Sequence, residues 1–284
     1  MRLSFASAPA TESSTAKDAV QGDFQAPNDV RVAMVVEQMW QPVPGGSGTY
    51  ITNLAHSLRA QGVKVAGIAA RRSHNDPGAS AVGLETMPVR YANLPRPALY
   101  EAWNRLHSPL AESILPASDL VHATTWAIPP TRKPLVVTVH DLAFLRNPEH
   151  FTKRGNSYFR KSLQRTINEA QAVIVPSQAT ADDCYEAGIN SERVHVIPHG
   201  VSVQEVSASQ IDLFRTAYGL SRPYVLWTGT REPRKNLPGL LHAFSRIAGE
   251  FPQLDLVLVG PSGWGDDAVE RQLIQAIGTS RVHV

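Results

Sequence analysis

From about residue 30 onward, apolar positions alternate between two rhythms. Short β-branched runs, of which RVAMVVE at 31–37 is the first, read as strands. Between them apolar residues recur three and four apart. Tyr50, Ile51, Leu54, Ala55 and Leu58 form the stripe of a helix over 49–61, stopped by Gly62. Further strands are expected at 63–70, 119–124, 135–140, 172–176 and 193–198, with 82–90 an ambiguous edge candidate. Phe159, Leu163, Ile167 and Ala170 stripe another helix, and 178–187 is a third, on which Cys184 reads as a small half-buried side chain and not a nucleophile. Strand–helix alternation of this kind implies a parallel sheet covered by helices on both faces.

A second series follows. It comprises a helix at 209–218, a buried strand at 224–228 (YVLWT) and a helix at 236–250 facing inward through Leu237, Leu240, Leu241, Phe244 and Ile247. A strand at 254–260, a helix at 266–277 opened by Asp266 and Asp267, and the start of a strand at 281–284 complete it. A doubly wound unit usually has about five or six strands. The expectation is therefore an incomplete second domain, in a chain that is a fragment or is completed by something else. The domains expected are a disordered lead at 1–28, rich in Ala, Ser, Thr and Pro, a first α/β unit at 29–205, and a partial second at 206–284.

Composition narrows the classes. With 284 residues, 43% hydrophobic, the chain has material for about two cores. Lys and Arg number 27 against 25 for Asp and Glu, a net charge of +2, which gives no reason to expect a nucleic-acid partner. One cysteine excludes an intramolecular disulfide and a cysteine-built zinc site. No apolar run approaches the ~20 residues of a membrane span, and 3–10 is too short and polar for an export signal, so the expected compartment is the cytoplasm.

Three motifs carry chemistry. Pro44-Gly45-Gly46-Ser47-Gly48 lies between the first strand and a helix beginning near Thr49, where glycines and helix N–H groups receive phosphates, or form an ordinary turn. It does not fit the dinucleotide fingerprint, because Ile51 stands where the third glycine belongs. His140-Asp141 ends a strand at the sheet edge where α/β ligands bind; His140 either meets a sugar hydroxyl or is satisfied by a carbonyl. Gly229 to Asn236 (GTREPRKN) sets Arg231, Arg234 and Lys235 between a strand and a helix N-terminus. Cations there oppose the helix dipole, so a diphosphate explains them better than helix stability does, the alternative being a solvated turn partnered by Glu232. His195 and His199 have no carboxylate beside them and do not read as a metal site. Lys153, Arg154, Arg160, Lys161 and Arg165 give one helix a basic outer face, suited to an anionic membrane or a polyphosphate-linked acceptor, or simply to water.

In this order the motifs resemble the family 4 retaining glycosyltransferases of GT-B architecture. The likeness runs from Val30 to Val284 and includes Val175-Pro176-Ser177, Val196-Ile197-Pro198-His199-Gly200-Val201 and Leu258-Val259-Gly260. It implies two Rossmann-like doubly wound parallel-sheet domains, the first holding the acceptor and the second, incomplete here, the nucleotide-sugar. It also implies that Gly46, Ser47 and Gly48 lie by the donor phosphates, that His140 contacts the transferred sugar, and that Lys235 binds the diphosphate. Thr230 stands where many members have arginine, so Arg231 or Arg234 is the substitute. The family's E-x7-E segment has no counterpart before Val284. The activity implied is transfer of a hexose, mannose from GDP-mannose as the expected donor, to a glycan or lipid-linked acceptor in polysaccharide biosynthesis. No cofactor or metal is expected, and the chain is expected to be inactive alone. Two other readings stand beside it: a non-catalytic binding or scaffold relic, and an epimerase, for which no carboxylate pair is visible.

Overall fold

The computed structural model describes residues 29–85, 87–201, 203, 205–263 and 268–284. The lead at 1–28 and the opening carboxylates Asp266 and Asp267 lie outside them. The chain runs β1 (Arg31–Val35), α1 (Gly45–Ala60), β2 (Lys64–Ala69), β3 (Val89–Tyr91), α2 (Arg96–Arg105), α3 (Ala111–Ile114) and β4 (Leu120–Ala123). It continues through β5 (Leu135–Thr138), α4 (Ala143–Arg146), α5 (Lys153–Glu169), β6 (Ala172–Val175), α6 (Gln178–Glu186) and β7 (Val194–Val196). A second series follows: α7 (Ala208–Ala217), β8 (Tyr224–Thr228), α8 (Leu237–Ile247), β9 (Asp255–Val259), α9 (Ala268–Ile277) and β10 (Val282–His283).

The first seven strands form one parallel sheet in the order β3-β2-β1-β4-β5-β6-β7. Alternation along β1 shows why both faces are covered. Ala33 and Val35 enter one core with Leu99, Trp103 and Val121, while Val32 and Met34 enter another with Ile51 and Ala55. The ambiguous stretch at 82–90 becomes the edge strand β3, preceded by a 3-10 turn at Ser80–Val82.

Several expectations change here. The first strand stops at Val35, and Glu37 opens a 3-10 turn (Glu37–Trp40) with its side chain fully buried, because partners from beyond β2 satisfy it. The glycines at 45–48 are the first turn of α1 and not a loop before it. Cys184 is fully buried, and burial pushes its thiol up to about 12, so it is a packing residue.

The second series forms a parallel three-stranded sheet, β10-β9-β8, around Leu237, Leu241, Phe244, Leu256 and Leu258. The strand expected to be buried, YVLWT, is not. Among the described residues β8 pairs with β9 alone, leaving Leu226 54% exposed, and α7 buries no residue. Ile247, at the last position of α8, is likewise exposed and does not face inward.

Candidate functional site

Strand order reverses between β1 and β4, and ligands of open α/β sheets bind outside the carboxyl ends at such a point. A cavity of about 1110 Å³ opens there. Gln38, Gln41 and Ser47 reach it from beyond β1, Thr125 and Trp126 from beyond β4, and His140 with Asp141 from beyond β5.

His140 has two partners. Its Nε2 lies 3.0 Å from the carbonyl oxygen of Thr124, which can only accept, so Nε2 carries the proton and donates it. Nδ1 is thereby left as an acceptor, 3.3 Å from Nε2 of His199. Burial lowers the His140 pKa, against the opposing bond to Thr124 and with the help of His199. The neutral ring therefore prevails near pH 7. The carbonyl partner that sequence reading offered as the bland alternative is real, yet the ring also faces the cavity.

Beneath this pair runs a buried polar chain. The Tyr50 ring meets His140 edge-on, with centroids 5.0 Å apart, and lies 4.9 Å from His199. Its hydroxyl is 2.9 Å from Thr138 Oγ1, which is 2.8 Å from His122 Nε2. Burial, helped by the charge of His140, lowers His122 to about 4. Between pH 6.5 and 4 the unfolded chain therefore binds a proton at His122 that the folded chain refuses, and stability falls as pH drops through that window. Urea unfolding from pH 7 to pH 4 should show this slope, and His122→Asn should flatten it whatever the variant's stability at pH 7. An unchanged slope in the variant would assign the acid loss elsewhere.

Of the glycine motif, Ser47 lines the cavity. Gly48 is buried, and a Cβ there would lie 2.5 Å from that of Pro44, so glycine allows the chain to fold back at the helix start. Gln38 Nε2 donates to the Pro44 carbonyl at 3.0 Å and ties this turn to the exit of β1. No side chain caps α1, and Gly46 lies in its open first turn without an acidic neighbour.

The cation cluster belongs to the second sheet and does not line this cavity. Gly229 and Gly260 end β8 and β9 in contact: a Cβ on Gly260 would sit 1.9 Å from the Gly229 carbonyl oxygen, so only glycine permits the approach. Arg231 then pairs with Ser262, holding the loop down. Arg234 is engaged by Glu232 at 2.7 Å, whereas the exposed Lys235 has no side-chain partner among the described residues. Of the two candidate substitutes for the missing arginine, Arg231 is thus the one without a carboxylate partner among the described residues.

The basic helix is α5, and its outer face is smaller than expected. Arg165 points inward, donating to the carbonyls of Trp103 and Ile128 and pairing with Glu169 at 2.8 Å, because the last turn of α2 and the loop after β4 offer free carbonyls there. Sequence reading missed Tyr50, His122 and Thr138 as site residues, and it named His199 in a motif without placing it beside His140. Tyr50 counted only as part of an apolar stripe, and nothing in spacing links it to residues 88 positions away.

Residues 44–205 match the family described as Glycosyltransferase Family 4. The chain belongs to that family. Among curated relatives, the O-antigen chain mannosyltransferase B of Escherichia coli is 27% identical over 181 residues, covering 61% of this chain and 48% of that protein. The alpha-maltose-1-phosphate synthase of Mycolicibacterium smegmatis is 29% identical over 252 residues, 81% of this chain and 60% of the relative. The chain thus spans about half the length of the O-antigen relative. Among solved structures, Anabaena HepE in complex with UDP and glucose aligns with a TM-score of 0.62 at 21% identity, over 89% of this chain and 68% of that one. Sucrose-phosphate synthase from Thermosynechococcus elongatus gives 0.62 at 19% identity, over 89% and 69%. These likenesses confirm the expected architecture: an α/β chain of GT-B type. This family 4 chain has, among the described residues, no helix long and apolar enough to cross a membrane.

Proposed function

We propose that the protein transfers a hexose, with retention, from a nucleoside-diphosphate sugar to a glycan or lipid-linked acceptor, and that the hexose is mannose from GDP-mannose. The observation that carries this is that His140 and Ser47 line one cavity at the reversal of a sheet whose residues match a glycosyltransferase family. Relatives named as O-antigen and serotype-specific mannosyltransferases support mannose and a role in polysaccharide synthesis. HepE, solved with UDP-glucose, supports a nucleotide-sugar donor.

In this reading the bond from the anomeric carbon to the leaving phosphate breaks through an oxocarbenium-like state, and the acceptor hydroxyl attacks from the same face. Negative charge grows on the diphosphate, where Lys235, Arg231 and the open N-terminus of α1 at Gly46, Ser47 and Gly48 stabilise it. Arg234 supports the loop through Glu232. No metal or cofactor is needed where cations do this work. The reaction runs in the cytoplasm, with Lys153 and Arg160 of α5 available to an anionic membrane surface. The 284-residue chain alone turns over negligibly.

Lys235→Ala should lower kcat/KM of the transferring protein at least about tenfold, ~1.4 kcal/mol, in a GDP-mannose transfer assay. Wild-type kinetics in that variant would return the cluster to a solvated turn.

A further inference from the structure

We propose that the acceptor in the cavity is an anion: a sugar bearing a phosphate or diphosphate group. This deepens the function proposed above and rests on it for the identity of the site as an acceptor site. Away from His140 the cavity is walled by one face each of α2 and α5. Arg96 and Tyr100 are four residues apart on α2, and Arg154, Tyr158 and Lys161 share a face of α5; all five line the cavity. The two tyrosine rings stack with centroids 5.6 Å apart and planes 22° from parallel, and the Tyr158 hydroxyl donates to the Trp126 carbonyl at 3.1 Å. Aromatic rings fixed in this way form an amphipathic wall for the apolar face of a pyranose.

Charge on the wall is unbalanced. Arg96, Arg105, Arg154 and Lys161 face only Glu101 and Asp141 along the lining. Asp141 accepts from the Ala143 N–H at 3.0 Å, and Glu101 is shared between Arg105 at 2.8 Å and Arg154 at 3.8 Å. Arg96 and Lys161 have no carboxylate partner among the described residues, and Arg96 is half-buried. Helix stability does not account for them either. Arg96 starts α2 and Arg154 lies in the first turn of α5; cations there oppose the dipole, and neither first turn holds an acidic residue. A half-buried guanidinium without a counter-charge, beside a stacked aromatic wall, is satisfied by the oxygens of a phosphate on the bound sugar.

The test is calorimetric titration of the 284-residue chain with methyl α-mannoside, mannose 1-phosphate and mannose linked through diphosphate to farnesol. Both phosphorylated probes should bind at least about tenfold more tightly than the neutral one. The gap should shrink with added salt, close in the Arg96→Gln/Lys161→Gln double variant, and persist in Lys235→Ala. Equal affinity for the two phosphorylated probes identifies a free sugar phosphate as sufficient; tighter binding of the farnesyl probe identifies a lipid-linked acceptor. No gap, or a gap that survives the double variant with an unchanged unfolding midpoint, overturns the proposal. Titration with GDP-mannose keeps the two readings apart, since it should respond to Lys235→Ala and not to the wall variant. Normal GDP-mannose binding with no phosphate gap overturns the anionic acceptor alone. GDP-mannose binding indifferent to Lys235 counts against the donor site instead.

Discussion

Replacing His140 with alanine should reduce transfer by about a hundredfold in kcat/KM, ~2.7 kcal/mol, in the transferring protein. The imidazole is the one histidine ring among the residues that line the cavity, and its state is set from two sides. Thr124 fixes the proton on Nε2, His199 faces Nδ1, and burial keeps the ring neutral. If the ring contacts the transferred sugar as proposed, an imidazole already neutral and held in orientation costs no reorganisation as charge develops. If the ring meets the sugar mainly in the transition state, kcat falls and KM barely moves; if it only binds substrate, KM rises with kcat unchanged. The unfolding midpoint separates either outcome from damage to the fold. A kcat/KM within about threefold of wild type, under ~0.7 kcal/mol, would reduce His140 to a satisfied core histidine.

That histidine was legible from its place at the end of an apolar strand; its surroundings were not. Short apolar runs and 3.6-residue stripes locate β1, β2 and β4 to β7 with α1, α5 and α6, whereas α2 at Arg96–Arg105 and the short α3 and α4 were not read. The same logic fails at β8, where YVLWT has the composition of an interior strand but, among the described residues, pairs with β9 alone. It fails again at Arg165, which a helical wheel sets among other cations and which the fold turns toward two carbonyls. The Tyr50–Thr138–His122 chain was invisible for a related reason. Its members are joined by the parallel crossover from α1 to β5, and no local pattern records which loop a crossover brings home.

Glu37 shows how much can rest on such a contact, and Glu37→Ala should cost about 3–5 kcal/mol of stability. Its side chain is fully buried and accepts from the Ala70 N–H at 2.7 Å and from Arg72 Nη2 at 2.5 and 2.6 Å. Arg72 in turn donates from Nε to the Ala70 carbonyl at 2.9 Å and covers the Trp40 ring at 4.7 Å. The carboxylate therefore clamps the exits of β1 and β2 together. Alanine leaves a guanidinium only 15% exposed without its carboxylate and the Ala70 N–H without its acceptor, which is the costly way to break a buried pair. Glu37→Gln, of similar shape and still able to accept, should lose less. A double-mutant cycle with Arg72→Met, read by urea unfolding, should return a coupling of at least about 1 kcal/mol. A loss below that in Glu37→Ala would mean water reaches the pair. The clamp also bears on the site: the 3-10 turn that Glu37 opens carries Gln38, which holds the Pro44 carbonyl at the start of α1. Loosening it should therefore weaken GDP-mannose binding at temperatures where the chain is still folded, because that turn is tied through Pro44 to the start of the helix that carries Ser47.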